Sequence, residues 1–204
     1  MDAVKNFYIS NGEIKKTKEW TDEPNGKVIY EVIRIINGKP LFYEEHYERM
    51  KNSFKLSNVE FKITEEELKE DIDKLVKAND LEIGNIKLTY NTTSKELRGF
   101  FIKHSYPTEE MYKDGVSTII YFGERENPNA KVINQSFRDA VNNEIKKKDA
   151  YEAILIDRNG FITEGSRSNI FMIRDRKLYT SKVEAVLPGV TRTEIIKMAK
   201  NNGI

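Results

Sequence analysis

The sequence has no cysteine, which removes disulfide frameworks, thiolate metal ligands and cysteine nucleophiles from consideration. Histidine is nearly as scarce. Only His46 and His104 occur, on separate expected elements, so neither a histidine metal cluster nor a Ser-His-Asp triad is expected and no metal is assigned. No glycine-rich phosphate loop of the GxGxxG or Walker type is present. Apolar runs never reach the about eighteen residues that a membrane span needs. The N-terminus lacks an apolar core and a small-residue cleavage site, so a cytoplasmic location is expected. An excess of one charge is missing too: 34 Lys and Arg face 33 Asp and Glu, a formal net of +1. With basic residues dispersed among acids, neither nucleic acid nor an anionic membrane is an expected partner.

What is present is enough for a core. A hydrophobic fraction of 38% over 204 residues supports one substantial folded domain or two small ones. Asn11-Gly12 between Asn6–Ser10 and Glu13–Thr17 predicts a hairpin with a type I′ turn. Lys27–Ile36 is rich in Val, Ile and Tyr and predicts a long strand, turned by Asn37-Gly38 towards Pro40–Tyr43. From Glu44 the period lengthens, and His46, Met50, Phe54 and Leu56 predict an amphipathic helix to Leu56. Thr64 with Glu67 forms a capping-box pattern ahead of Leu68, Ile72, Leu75 and Val76. Strands are expected over Asn85–Asn91, Gly99–Ser105 and Gly115–Phe122, and a helix over Lys131–Lys148. Further strands are expected at Tyr151–Asp157, Phe161–Thr163, Asn169–Ile173 and Lys177–Thr180, with a last helix after Thr191. The polar stretch Gly123–Asn129 suggests a boundary between residues 1–122 and 123–204. Strands and helices mix without regular βαβ alternation, which favours an α+β fold.

The segment Thr163-Glu164-Gly165-Ser166-Arg167-Ser168-Asn169-Ile170-Phe171 runs on to Leu178-Tyr179-Thr180 and Leu187-Pro188-Gly189-Val190-Thr191-Arg192. It resembles the signature of the class IV (fold type IV) pyridoxal-phosphate enzymes, from Glu164 to Arg192. That family includes branched-chain aminotransferases, D-amino acid aminotransferases and aminodeoxychorismate lyases. Ala130-Lys131 with Asn134 resembles the family's cofactor-lysine segment, about thirty residues before the glutamate. His46-x-x-Arg49 with Ser53 resembles its phosphate-arginine helix, and Ile29-Tyr30-Glu31-Val32 its strand with an aromatic at the active site. The resemblance covers essentially the whole chain.

It implies a small N-terminal domain (1–122) followed by a barrel-like C-terminal domain (123–204), incomplete relative to the family, with pyridoxal 5′-phosphate as cofactor. Lys131 would form a Schiff base with the aldehyde, which requires a usable free amine. Glu164 would keep the pyridine nitrogen protonated so that the ring accepts electrons. Arg49 would offer a charge-assisted fork to phosphate, the alternative being a solvated helix arginine. Val190 and Thr191, at the start of a helix, would present backbone N–H groups to the same anion, and Thr191 could also be a plain cap. Tyr30 either lines the pocket or belongs to the core. Arg167 either meets a substrate carboxylate or points to solvent.

The implied reaction is amino transfer between an amino acid, branched-chain ones included, and a 2-oxo acid, in a homodimer. The alternatives are aminodeoxychorismate lyase activity, giving 4-aminobenzoate and pyruvate, and a non-catalytic binding protein. Two departures bear on this. The family usually continues well past the position of Ile204. The Arg-x-His carboxylate trap of the D-amino acid enzymes is replaced by Thr92-Thr93-Ser94-Lys95, with Arg98 and His104 at other spacings, and the glycine-rich loop of the branched-chain enzymes is also absent.

Overall fold

A computed structural model describes residues 2–104 and 106–204. The chain forms two compact units. One is Met1–Tyr106 with Ala130–Ile133, and the other is Pro107–Asn129 with Asn134–Ile204.

The first unit is built on a six-stranded antiparallel sheet ordered β2-β1-β6-β5-β3-β4. Its strands are β1 (Phe7–Ser10), β2 (Glu13–Lys16), β3 (Val28–Ile36), β4 (Lys39–Pro40), β5 (Gly84–Asn91) and β6 (Glu96–Ile102). The Asn-Gly turns behave as expected, with positive φ at Asn11, Gly12, Asn37 and Gly38, the signature of a type I′ hairpin. The expected strand Gly99–Ser105 begins earlier, at Glu96, and ends at Ile102; Ser105 lies outside the described residues.

Helices α1 (Tyr43–Leu56) and α2 (Glu65–Asn79) pack on this sheet. The stripe that α1 buries is Tyr43, Tyr47, Met50 and Phe54, whereas Leu56, expected on it, is half exposed. His46, Arg49 and Ser53 form a second stripe of helical spacing beside the first. In α2 the capping box is complete: Thr64 Oγ1 accepts from Glu67 N–H, and Glu67 Oε2 accepts from Thr64 N–H at 2.8 Å. Thr64→Ala is expected to lower stability by about 1 kcal/mol, measured by denaturant unfolding, with Thr64→Ser close to wild type. Leu68, Ile72 and Leu75 from α2 join Ile9, Ile33, Ile35, Ile86, Leu88 and Phe101 from the sheet in one core.

The second unit contains β7 (Thr118–Phe122), β8 (Glu152–Ile156) and β9 (Ile162–Gly165) in one sheet, and β10 (Phe171–Arg174) with β11 (Lys177–Thr180) in another. β7 and β8 are parallel and are joined across helix α4 (Gln135–Lys147), as a parallel pair requires. Val141 and Ile145 of α4 pack on Ala153 and Leu155. A short α3 (Glu109–Asp114), capped by Thr108, precedes β7, and α5 (Val190–Asn201) follows β11. The expected boundary after Phe122 falls inside this unit, because β7 is paired to β8.

One sequence expectation fails where it matters. Lys131 is not in the helix, which starts after its cap Asn134. Residues 131–133 are extended instead and cover the edge of β3: Tyr30 N–H donates to Lys131 O and Ile133 N–H to Val28 O, both at 3.0 Å. Two β-type hydrogen bonds outweigh local helix propensity here.

Candidate active site

In the first unit, the inward phase of β3 is Ile29, Glu31, Ile33 and Ile35. Glu31 thus carries a carboxylate into the core, with no solvent exposure. Such a charge persists only if it is paired and hydrogen-bonded. The second stripe of α1 does this. Arg49 donates from Nε to Oε1 at 2.9 Å and from Nη2 to Oε2 at 2.6 Å, and His46 Nδ1 lies 2.9 Å from Oε2. Burial alone would push the Glu31 carboxyl up. The bonds from His46 and Arg49, with the positive charges of Arg49 and Lys131, override burial and bring it down to about 2. Arg49 is therefore not a solvated helix arginine: its side chain is 9% exposed, and two of its nitrogens are committed to Glu31.

Lys131 belongs to the same cluster. Its N–H donates to Ser53 Oγ at 3.0 Å, its carbonyl accepts from Tyr30, and its ammonium stands 4.6 Å from the centroid of the Tyr30 ring. That is within range of a cation–π contact. Tyr30 is itself buried. Three sequence-derived site residues, Tyr30, Arg49 and Lys131, are thus gathered around Glu31 and Ser53. A cavity of about 800 Å³ elsewhere in this unit is lined by Phe54, Val59, Ile63, Asp71, Tyr90 and Leu97 among others, and its lining includes none of those three.

In the second unit Glu164 lies in β9, 5% exposed, not in an exposed turn. Its Oε2 accepts from Leu187 N–H at 3.0 Å and from Asn169 Nδ2 at 3.4 Å, and Arg125 Nη1 stands 3.4 Å from Oε1. Asn169 Nδ2 also donates to Leu187 O at 3.0 Å, which ties the Glu164 strand to the approach of α5. The cap of α5 is Gly189, without a side-chain hydrogen bond, so Thr191 is not the cap. A Cβ at Gly189 would come within 2.1 Å of Asn169 Oδ1, so a side chain there would push Asn169 from its place. Val190 and Thr191 occupy the first turn, where N–H groups have no acceptor within the helix. The loop after Glu164 is shaped by Glu152, which accepts from the hydroxyls of Ser166 and Ser168. Arg167 is exposed and donates from Nη2 to Tyr151 O at 3.2 Å.

Sequence reasoning missed Glu31, Ser53 and Arg125 as partners. Glu31 had a signal: a charged residue in the buried phase of an apolar strand. Arg125 had none, since it lies in a polar loop.

The family model for class IV amino-transferases matches residues 28–204. D-alanine aminotransferase of Listeria monocytogenes is 31% identical over 195 residues, covering 88% of this chain and 67% of its own length. Aminodeoxychorismate lyase of Bacillus subtilis is 27% identical, with 86% of this chain and 66% of its length covered. The chain thus spans about two thirds of these relatives. Among solved structures, the branched-chain aminotransferase of Thermoproteus uzoniensis with norvaline superposes at a TM-score of 0.86 and 21% identity, over 98% of this chain and 76% of the other. The branched-chain aminotransferase of Escherichia coli gives 0.85 and 22%, over 98% and 76%. Both establish the same fold.

Proposed function

We propose, since the chain belongs to the class IV aminotransferase family, that it is a pyridoxal-phosphate-dependent aminotransferase moving an amino group between an amino acid and a 2-oxo acid. The observation that carries the reading is Lys131, a lysine whose backbone is fixed at both N–H and C=O and whose amine rests on an aromatic face. The side chains fit the cofactor by chemistry. A buried carboxylate, Glu164, suits a protonated ring nitrogen. The uncapped first turn of α5, with Val190 and Thr191, suits a phosphate, as does the guanidinium of Arg49.

When bound, pyridoxal phosphate supplies an aldehyde and an electron-accepting ring. The residues do the rest. Lys131 Nζ would hold the group and would serve as the base for the substrate Cα proton. Glu164, fixed by Leu187 N–H and Asn169, favours a proton on the ring nitrogen. Glu31 offsets the charge of Arg49 and fixes its direction. A homodimer and a cytoplasmic location belong to the same proposal and rest on the family. No helix among the described residues is long and apolar enough to cross a membrane.

Donor chirality is part of the question, because named relatives include D-alanine aminotransferases. Arg98 does not supply a carboxylate trap. It is 3% exposed, donates to Glu96 and Thr21 O at 2.7 Å each, and stacks on Trp20 at 4.6 Å. The second reading, a lyase releasing 4-aminobenzoate and pyruvate, is favoured by the Bacillus relative's name. The non-catalytic reading is not favoured, since these relatives carry enzyme names.

The test is amino transfer to 2-oxoglutarate from a panel of L- and D-amino donors, run beside aminodeoxychorismate. Transfer that disappears in Lys131→Ala supports the proposal. Pyruvate and 4-aminobenzoate without transfer would select the lyase. A protein that stays colourless with pyridoxal phosphate and turns over neither substrate would select the non-catalytic reading.

A further inference from the structure

The hydroxyl of Ser53 has two bonds and no exposure. It donates to Arg49 O, four residues back on α1, and accepts the N–H of Lys131, both at 3.0 Å. A serine in a helix commonly bonds back to the carbonyl four residues earlier. Accepting a bond from a distant backbone N–H at the same time is a different task. Lys131 is 78 residues away in sequence, and its segment has no helix or strand of its own. Hydrogen bonds that bear on its place include Ser53 at the N–H, Tyr30 N–H at the carbonyl, and Val28 through Ile133. Of these, only Ser53 ties the lysine to the helix that carries Arg49 and His46.

We infer that Ser53 is a positioning residue, which sets where the Lys131 amine stands relative to the Tyr30 ring and the Glu31–Arg49 pair. This rests on the reading of Lys131 as the cofactor-bearing lysine. The logic is geometric. Glu31 is locked by Arg49 and His46, and Tyr30 is fixed in β3, so both reference points are rigid. The lysine carries the amine, and its backbone root is the atom pair that Ser53 and Tyr30 hold. Releasing the N–H end lets the root swing about the carbonyl end. Displacements of about 1 Å at a reacting amine lower its rate by up to about a hundredfold.

The probe is pyridoxal, the aldehyde without phosphate, reduced onto the protein with borohydride and mapped by peptide mass. Phosphate binding then plays no part, and turnover is not the readout. Exposed lysines such as Lys148 serve as an internal reference. In wild type, Lys131 is expected to be labelled. In Ser53→Ala its labelling relative to Lys148 is expected to fall by about ten- to a hundredfold. Ser53→Thr, which keeps the hydroxyl, is expected to restore the wild-type rate. If Ser53→Ala loses the fold, Ser53→Cys makes the same comparison, filling the space with a weak sulfur acceptor.

Wild-type labelling at Lys131 with an unchanged rate in Ser53→Ala or Ser53→Cys overturns the inference and leaves the proposed function standing. Absence of wild-type label at Lys131 overturns both.

Discussion

Glu31→Ala is expected to cost the protein about 3–5 kcal/mol of stability, the range for breaking a buried ion pair from one side. The size follows from what stays behind. Arg49, 9% exposed, would keep its charge without the carboxylate that takes two of its nitrogens, and His46 would lose the same partner. Replacing both ends together, as Glu31→Leu with Arg49→Met, is expected to recover part of the loss, because a matched apolar pair leaves no stranded charge. Acid gives an independent check. The folded-state carboxyl lies near 2 against an ordinary 4.5, so its stabilisation is complete above about 4.5 and is lost as pH falls towards 2. That window holds about 3 kcal/mol on the shift alone. Denaturant midpoints measured from pH 6 to pH 2 should show this loss in wild type and not in Glu31→Ala. A flat wild-type profile would remove Glu31 as a charged centre.

Glu164→Gln is expected to lower the turnover of amino transfer by a hundredfold or more, on the order seen when one preorganised electrostatic contact is deleted. Reductive labelling of Lys131 should persist in this variant. The two readouts separate the carboxylate from the lysine: label without turnover assigns Glu164 to tuning, whereas loss of both would mean that the substitution damages the fold. An amide cannot hold a proton on a ring nitrogen as a carboxylate does. It also cannot repeat the present contacts, since its NH₂ would face Leu187 N–H, Asn169 Nδ2 or Arg125, all of them donors. Full turnover in Glu164→Gln would sink the role proposed for this residue.

Much of the first unit was legible because its signals are local. Asn-Gly pairs set the hairpin turns, and Thr64 with Glu67 marks the start of α2 down to the individual hydrogen bonds. Tyr30, Arg49 and Lys131 were singled out from sequence and the fold gathers them, whereas their partners Glu31 and Ser53 were not legible as such. Arg49 was expected to face a phosphate, and its guanidinium is engaged with Glu31, a pairing between a helix and a strand 18 residues apart. Nothing in the spacing of either element states that pairing. Lys131 was read as the first residue of a helix that in fact starts after Asn134. The competing demand, an uncovered strand edge on β3, lies about a hundred residues away in the chain and leaves no local trace. The two stripes of α1 illustrate both outcomes. Met50 and Phe54 announce themselves by period, whereas the neighbouring stripe of His46, Arg49 and Ser53, singled out only by resemblance, shows its partners once Glu31 and Lys131 are placed.

The covering of β3 by residues 131–133 has a consequence for synthesis and for protein engineering. A polypeptide ending at Tyr106 contains every strand of the large sheet and both of its helices, yet the first residues of β3 would have an unsatisfied margin of amide groups. Such margins recruit other chains. In synthesis the stretch around Lys131 follows Tyr106 by some two dozen residues, so the first residues of β3 would gain their cover only after the rest of the sheet is made.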